Sequence, residues 1–448
     1  GHFDLPQQVH HLLRLVLLPS SHTLSLSSVS LLHWYKSSQA LQGVYSFRFA
    51  MHPSGVAMPP LKAQMQTLSP LMVRVIGFCA AHHLLPESYL YGLVDVVRVG
   101  TYMPTYFAGH LYAHGQWFYF PAILSLKWSV GVLGLLLLAL GAFLTGRVHR
   151  PREVYFLLLP AVFYLAVAMA SPLNIGVRHV LPVFPFTFAL AGAGSAWLMQ
   201  QRRAWALPVA ASLLWHVADS VRMFPNYMPY ANVFWGGPAR THDYFADSAT
   251  EWGQDLKFVK AWTDQRHVID CWIAHFPAPF LLPSDYGVPC RLLPTLDSMY
   301  EQDIALPAVL HGPLILSFAD LNGFEFGTKV RNPYQQLFDR QPDEIIANGY
   351  AVYYGDYALP QAAALQFVQQ ARRLLKKQPT ASLAAARQAV ALAPHGFDEN
   401  IALGDSLIAT GDQASARNAY AVAMSRVAEM EPSAKTHWSP IVEKKLHG

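Results

Sequence analysis

Charge is scarce in this chain. Only 13% of its 448 residues are Asp, Glu, Lys or Arg, against 53% in the hydrophobic class. That balance is too apolar for an ordinary soluble enzyme of this length and points to the membrane. Basic runs are missing too: 32 Lys and Arg stand against 28 Asp and Glu, with no tract that would follow a phosphate backbone. Nucleic acid is therefore not an expected partner. Cysteine is nearly absent, and Cys79, Cys271 and Cys290 form neither a disulfide framework nor a zinc spacing. Cys271 and Cys290 could pair outside the cytoplasm, although spacing does not show that their Cα atoms approach. The opening residues GHFDLPQQVH lack the basic-then-apolar order of a signal peptide. Together with the initial Gly, this suggests a fragment or processed product, whose upstream part would hold a catalytic residue.

What is present is a set of long apolar segments, at about 122–145, 154–171, 179–200 and 204–221. At 1.5 Å per residue the first and third can cross a hydrocarbon layer of about 30 Å, and the other two lie near the lower limit. Pro160, Pro182, Pro185 and Pro208 interrupt backbone bonds, which a helical bundle tolerates. The links GRVHRPRE (146–153) and QQRR (200–203) carry Arg147, Arg150, Arg152, Arg202 and Arg203, which predicts that both are cytoplasmic. The loop 172–178 and everything after about 221 then fall on the opposite side. Residues 1–121 read as an extracytoplasmic or interfacial region with uncertain helices near 11–35 and 68–85.

Beyond 221 the chain becomes aromatic and rich in Gly and Pro. A helix is expected near 253–265, and HVIDCWIA, PLILSFA and GYAVYYG read as strands between Pro and Gly punctuation. A small mixed α/β domain is expected over 222–358. From 359 to 448, Ala and Leu recur at helical spacing, with Ala402, Gly404, Ala416 and Ala419 where paired helices would approach. That resembles a tetratricopeptide-type tail, with a generic helical hairpin as the alternative. The expected fold is thus an α-helical polytopic membrane region over 122–221, a mixed α/β domain and a helical tail.

Several groups could carry chemistry. His110 and His114 lie in an aromatic loop, share a face if it is helical, and read as interfacial residues, anion donors or metal ligands. Lys127 lies near the start of the first long apolar segment, where snorkelling would account for it. Arg178 and His179 sit between two apolar runs in SPLNIGVRHVLPVFPF. Arg178 either anchors a helix end or offers its planar fork to a lipid-linked phosphate. Glu251 and Asp255, four apart in EWGQDLK, would share a helix face and bind a cation or sugar hydroxyls. Alternatively Asp247 or Ser248 caps that helix and the acids lie in its first turn.

The ordered series ESYLYGL (87–93), YFAGHLYAHGQWFYFPAILSLKWS (106–129), NIGVRHVLPVFPF (174–186), YMPYANVFWGGP (227–238) and DSATEWGQDLK (247–257) resembles bacterial integral-membrane glycosyltransferases of the GT-C type. These use polyprenyl-phosphate sugars and are similar to the protein O-mannosyltransferases and the aminoarabinose transferase. The resemblance spans roughly 43–358. It implies a multi-pass protein of the bacterial inner membrane with an extracytoplasmic C-terminal region, transferring a sugar from a lipid-linked donor to a protein, lipid or glycan acceptor. An acidic residue that normally follows the first crossing would activate the acceptor, and no counterpart is assigned here. The resemblance places Arg178 and Lys127 at the donor phosphate, with His179 and His114 as polar support. It implies that Gln254 and Asp255 bind the acceptor or brace the following domain, with Glu251 standing in for the usual Asp; Glu251, Gln254, Asp255 and His110 together are the candidate acceptor or cation site. A divalent ion is left open. The competing expectation is a non-catalytic membrane-anchored scaffold that binds protein partners through its tail, and a transporter is a further alternative.

Overall fold

The structure, a computed structural model, describes residues 60–65, 68–100, 103–145, 151–276, 281–295, 306–328, 332–430 and 432–447. The apolar run at 11–35, most of the link 146–153 and Arg147 and Arg150 lie outside the described residues. The chain divides into two units, 1–101 and 102–448.

In the first unit, α1 (Pro70–Ala81) and α2 (Glu87–Gly100) pack through Ile76, Leu90 and Val94. Ser69 caps α1, its Oγ accepting from Met72 N at 3.4 Å, and Pro70 opens the first turn, where its missing N–H costs nothing. The 12 residues of α1 extend about 18 Å, so the stretch 68–85 forms a helix too short to cross a membrane.

The second unit opens with a hairpin of β1 (Thr105–Phe107) and β2 (His110–Tyr112), turned by Ala108 and Gly109 at φ of 50° and 82°. Helices α3 (Tyr119–Lys127), α4 (Val130–Leu144), α5 (Pro151–Met169), α6 (Val183–Gln201) and α7 (Ala206–Met223) follow. Small residues bring three of these backbones together. A Cβ on Gly131 would lie 2.0 Å from the Ser212 carbonyl oxygen of α7, and one on Gly194 2.4 Å from Ala139 of α4.

The expected four crossings are corrected by this geometry. The segment 122–145 is two helices bent by 111°, because Trp128 and Ser129 adopt extended backbone and the Ser129 hydroxyl caps a new helix at Val132 N. Helix α5 is long and apolar enough to span. In α6, Gly, Ala and Ser dilute the apolar side chains and two glutamines end the helix. In α7, His216, Asp219 and Arg222 interrupt the run. Among the described residues one helix could cross a membrane, or two if the bent pair is a single span. Neither a polytopic GT-C membrane region nor a multi-pass inner-membrane placement is supported.

After α7, a run of tight turns leads to α8 (Leu256–Gln265). A five-stranded sheet of order β4-β3-β6-β8-β7 follows, with β3 Cys271–Ala274, β4 Cys290–Leu292, β6 Leu314–Ser317, β7 Glu344–Ile346 and β8 Tyr350–Tyr353. A side ribbon pairs β5 (Leu310–His311) with β9 (Asp356–Tyr357). Strand β3 is parallel to β4 and β6, and β8 is antiparallel to β6 and β7. Strands β3, β6 and β8 are buried throughout, so both faces need cover. Leu256, Val259 and Trp262 of α8 pack with Ile273, Ile315 and Val352 on one face. The alternate residues Trp272, Leu314, Leu316 and Tyr353 pack on the other with Leu365. Cys271 and Cys290, paired across neighbouring strands, form a disulfide.

The tail consists of successive helices α9 (Pro360–Leu374), α10 (Pro379–Leu392), α11 (Phe397–Ala409), α12 (Gln413–Glu429) and α13 (Pro432–His447), each packed on the next. Gly404 meets the Tyr420 ring, where a Cβ would lie at 2.3 Å.

Candidate functional site

Residues from three distant segments meet around the turn 174–180. Buried Asn174 fixes its start: its side-chain oxygen accepts from Thr105 Oγ1 at 3.3 Å and from the main-chain N–H of Gln116. Gly176 N donates to Tyr119 Oη at 3.0 Å, and Ser248 Oγ donates to the Ile175 carbonyl at 2.8 Å. Gly176 has φ of +105°, and a Cβ there would meet Ser248 Oγ at 2.4 Å, so only glycine serves both requirements.

The short helical turn Val177–Val180 then presents Arg178 and His179. The Arg178 guanidinium lies over the Trp252 ring at 5.0 Å and 3.9 Å from Asp247 Oδ1, with 41% of its side chain exposed. A cation at that distance attracts Asp247 but makes no hydrogen bond with it, so the planar fork keeps its N–H donors for a ligand. Asp247 is buried, with φ of +57°, and its carboxylate accepts from Ser248 N. Burial pushes its pKa up to about 6, opposed by the Ser248 bonds and by Arg178. Burial and the neighbouring Arg178 pull His179 below the ordinary histidine value. Its ring Nε2 is buried without a partner, while its carbonyl accepts from Tyr164 Oη of α5 at 3.1 Å.

Lys127 does not join this fork. Its ammonium donates to the carbonyls of Met228 at 2.6 Å, Tyr230 at 2.9 Å and Ala249 at 2.6 Å. All three of its hydrogens are engaged, so it ties the end of α3 to two later loops instead of facing a phosphate.

His110 lies on β2 and His114 beyond it, both exposed, in a hairpin and loop rather than on one helix face. Among the described residues, no group of three or more His, Cys, Asp or Glu is placed to hold a metal ion.

Glu251 and Asp255 lie inside the protein. The helix begins at Leu256, with Asp255 at its N-cap but making no side-chain cap bond; the capping arrangement and the shared helix face are both replaced by a buried network. Glu251 Oε1 accepts from Gly253 N and from Tyr350 Oη at 3.1 Å, and Tyr350 Oη lies 2.6 Å from His275 Nδ1. Glu251 Oε2 is buried without a partner. Asp255 Oδ1 accepts from Asn226 Nδ2 at 2.9 Å, and Gln254 Oε1 accepts from Trp252 N at 2.7 Å. Burial raises Glu251 well above the ordinary carboxyl range and Asp255 to about 7, the latter opposed by the neighbouring Gln254 amide and by the Asn226 hydrogen bond. A Cβ on Gly349 would lie 2.4 Å from Asp255 Oδ2 and 3.0 Å from Glu251 Cγ. The strand start therefore closes over both acids, and they brace the sheet rather than line a surface.

Neither family models, curated proteins nor solved structures match this chain.

Sequence reasoning did not pick out Trp252, Tyr119, Tyr350 or His275. Trp252 stands inside the EWGQDLK motif, and its place beside two acids was the available signal. The others are aromatic or neutral groups whose partners are remote in sequence.

Proposed function

We propose that Arg178 binds the phosphate of a polyprenyl-phosphate sugar, and that the chain is the donor-binding portion of a glycosyltransferase acting on a protein, lipid or glycan acceptor. The observation that carries this reading is the half-exposed Arg178 guanidinium held over Trp252. It is positioned without spending its N–H donors on the protein, and a fork in that state suits phosphate oxygens. As the sugar leaves its carrier, charge builds on the expelled phosphate, and a fixed guanidinium stabilises that charge. His179, lowered below the ordinary histidine value by burial and by Arg178, adds a polar ring beside the guanidinium. The Tyr164–His179 bond ties the turn to α5, whose outward Phe156, Leu159 and Phe163 are more than 60% exposed and suit the carrier's hydrocarbon chain.

The test is binding of a labelled polyprenyl-phosphate hexose to the purified chain in detergent, compared among wild type, Arg178→Lys and Arg178→Ala. Affinity should fall in that order, the alanine variant losing about tenfold or more, as expected for one charge-assisted contact. Equal binding by all three would overturn the assignment.

A further inference from the structure

A cleft of about 460 Å³ opens between the turn at 239–243 and the sheet domain. Its back is set by His242, whose ring stacks on Phe318 with centroids 3.5 Å apart and planes 6° from parallel. Arg240 and Asp243 line one side, and Phe338, Arg340 and Ile345 the other. The volume is in the range of small-molecule sites.

Two ion pairs flank this cleft, and Asp339 adds a carboxylate that accepts from Gln335 Nε2 at 2.8 Å. Arg240 Nε donates to Asp243 Oδ2, and Arg340 lies 3.4 Å from Asp343. Burial pulls His242 down to about 4, against the opposing pull of Asp243, so its ring adds no charge at neutral pH. Matched pairs exert little net pull on an ion. The Arg240–Asp243 pair, both of whose members line the cleft, instead presents a donor beside an acceptor, which suits a vicinal diol: one hydroxyl accepts from a guanidinium N–H while its neighbour donates to the carboxylate. Between the pairs, Phe338 and Ile345 are 36% and 42% exposed. They offer an apolar surface to the C–H face of a pyranose ring.

We propose that this cleft is a saccharide-binding site, with a pyranose seated on Phe338 and Ile345 and its hydroxyls bridging the Arg240–Asp243 pair and Arg340. The inference stands on the cleft's own chemistry and does not require the transfer reaction.

The experiment is saturation-transfer difference NMR on the full chain, in a detergent without a sugar headgroup. The probes are methyl α-mannoside, N-acetylglucosamine and cellobiose, with inorganic phosphate as competitor. At least one probe should receive saturation at its ring C–H protons and keep it when phosphate is added. Its affinity should fall about tenfold in Arg340→Ala, the worth of one polar contact, and also in Ile345→Lys. Ile345 is 42% exposed on β7, and unchanged thermal unfolding of that variant separates lost binding from lost structure. Absence of transfer to every probe, binding unchanged in both folded variants, or displacement by phosphate would each overturn the proposal, the last by showing an anion site.

Discussion

The guanidinium carbon of Arg178 lies 5.0 Å from the centre of the Trp252 ring, joining the turn before α6 to the segment before α8. The contact orients the cation through the ring's electron-rich face and consumes none of its N–H donors. Trp252→Ala should therefore weaken lipid-phosphate binding roughly two- to fivefold, from a contact worth about 0.5–1 kcal/mol at an exposed site, while Trp252→Phe keeps most of it. Titration with the labelled donor checks this, and an alanine variant that binds like wild type would show that Arg178 is held by other means.

Asp247 sets a pH dependence on the same fork. Below about 6 its carboxyl is protonated and the Arg178 charge is uncompensated; above that value an anion stands 3.9 Å from the guanidinium and opposes a bound phosphodiester, which does not itself titrate in this range. The other titratable group facing Asp247 is Tyr119, raised far above neutrality, and His179 beside Arg178 is lowered below the ordinary histidine value. Donor affinity should fall as pH rises from about 5 to about 7, and Asp247→Asn should flatten the profile at its high-affinity level. Binding measured across that interval decides it; a wild-type profile already flat would remove Asp247 from the site.

Lys127→Met separates tethering from ligand binding. The substitution leaves three part-buried carbonyls without their donor, each costing up to about 1–3 kcal/mol where water does not replace the donor, so thermal stability should drop. A variant that unfolds like wild type yet loses the lipid-linked donor would instead restore Lys127 to the phosphate site.

Asp255 makes a statement about stability. Its carboxyl titrates at about 7 in the folded chain against 3.8 ordinarily. A raised folded value means that the group's contribution is fully present below about 3.8 and is lost as pH rises through about 7. The loss runs at no more than about 1.4 kcal/mol per pH unit. Asp255→Asn keeps an acceptor for Asn226 and removes the titration, so its stability relative to wild type should improve as pH rises between about 4 and about 7. Parallel denaturation curves at both ends of that interval would rule out the buried acid as the cause.

Much of the outer architecture was legible. The runs HVIDCWIA, PLILSFA and GYAVYYG contain β3, β6 and β8, because short β-branched and aromatic runs between turn residues have few other ways to be buried. The alanine spacing of the tail likewise marks its helices, since small residues permit close approach without breaking helical backbone. The crossings were not legible to the same degree. Average apolarity over 122–145 conceals the break at Trp128 and Ser129, which depends on two residues' dihedral angles and a cap. His110 and His114 look like a helical pair by spacing alone, whereas Ala108 and Gly109 turn that stretch into a hairpin.

By itself, the sequence determined which segments are apolar, where strands and tail helices form, and that a cationic doublet stands between two apolar runs. Those are consequences of side-chain type and local spacing. Only the tertiary structure decided that Arg178 meets Trp252 and Asp247, that Lys127 is spent on three carbonyls, and that Glu251 and Asp255 are sealed behind Gly349. Each of these rests on contacts between residues far apart along the chain, and burial, which sets both hydrogen-bond commitment and protonation, is a property of the packed whole.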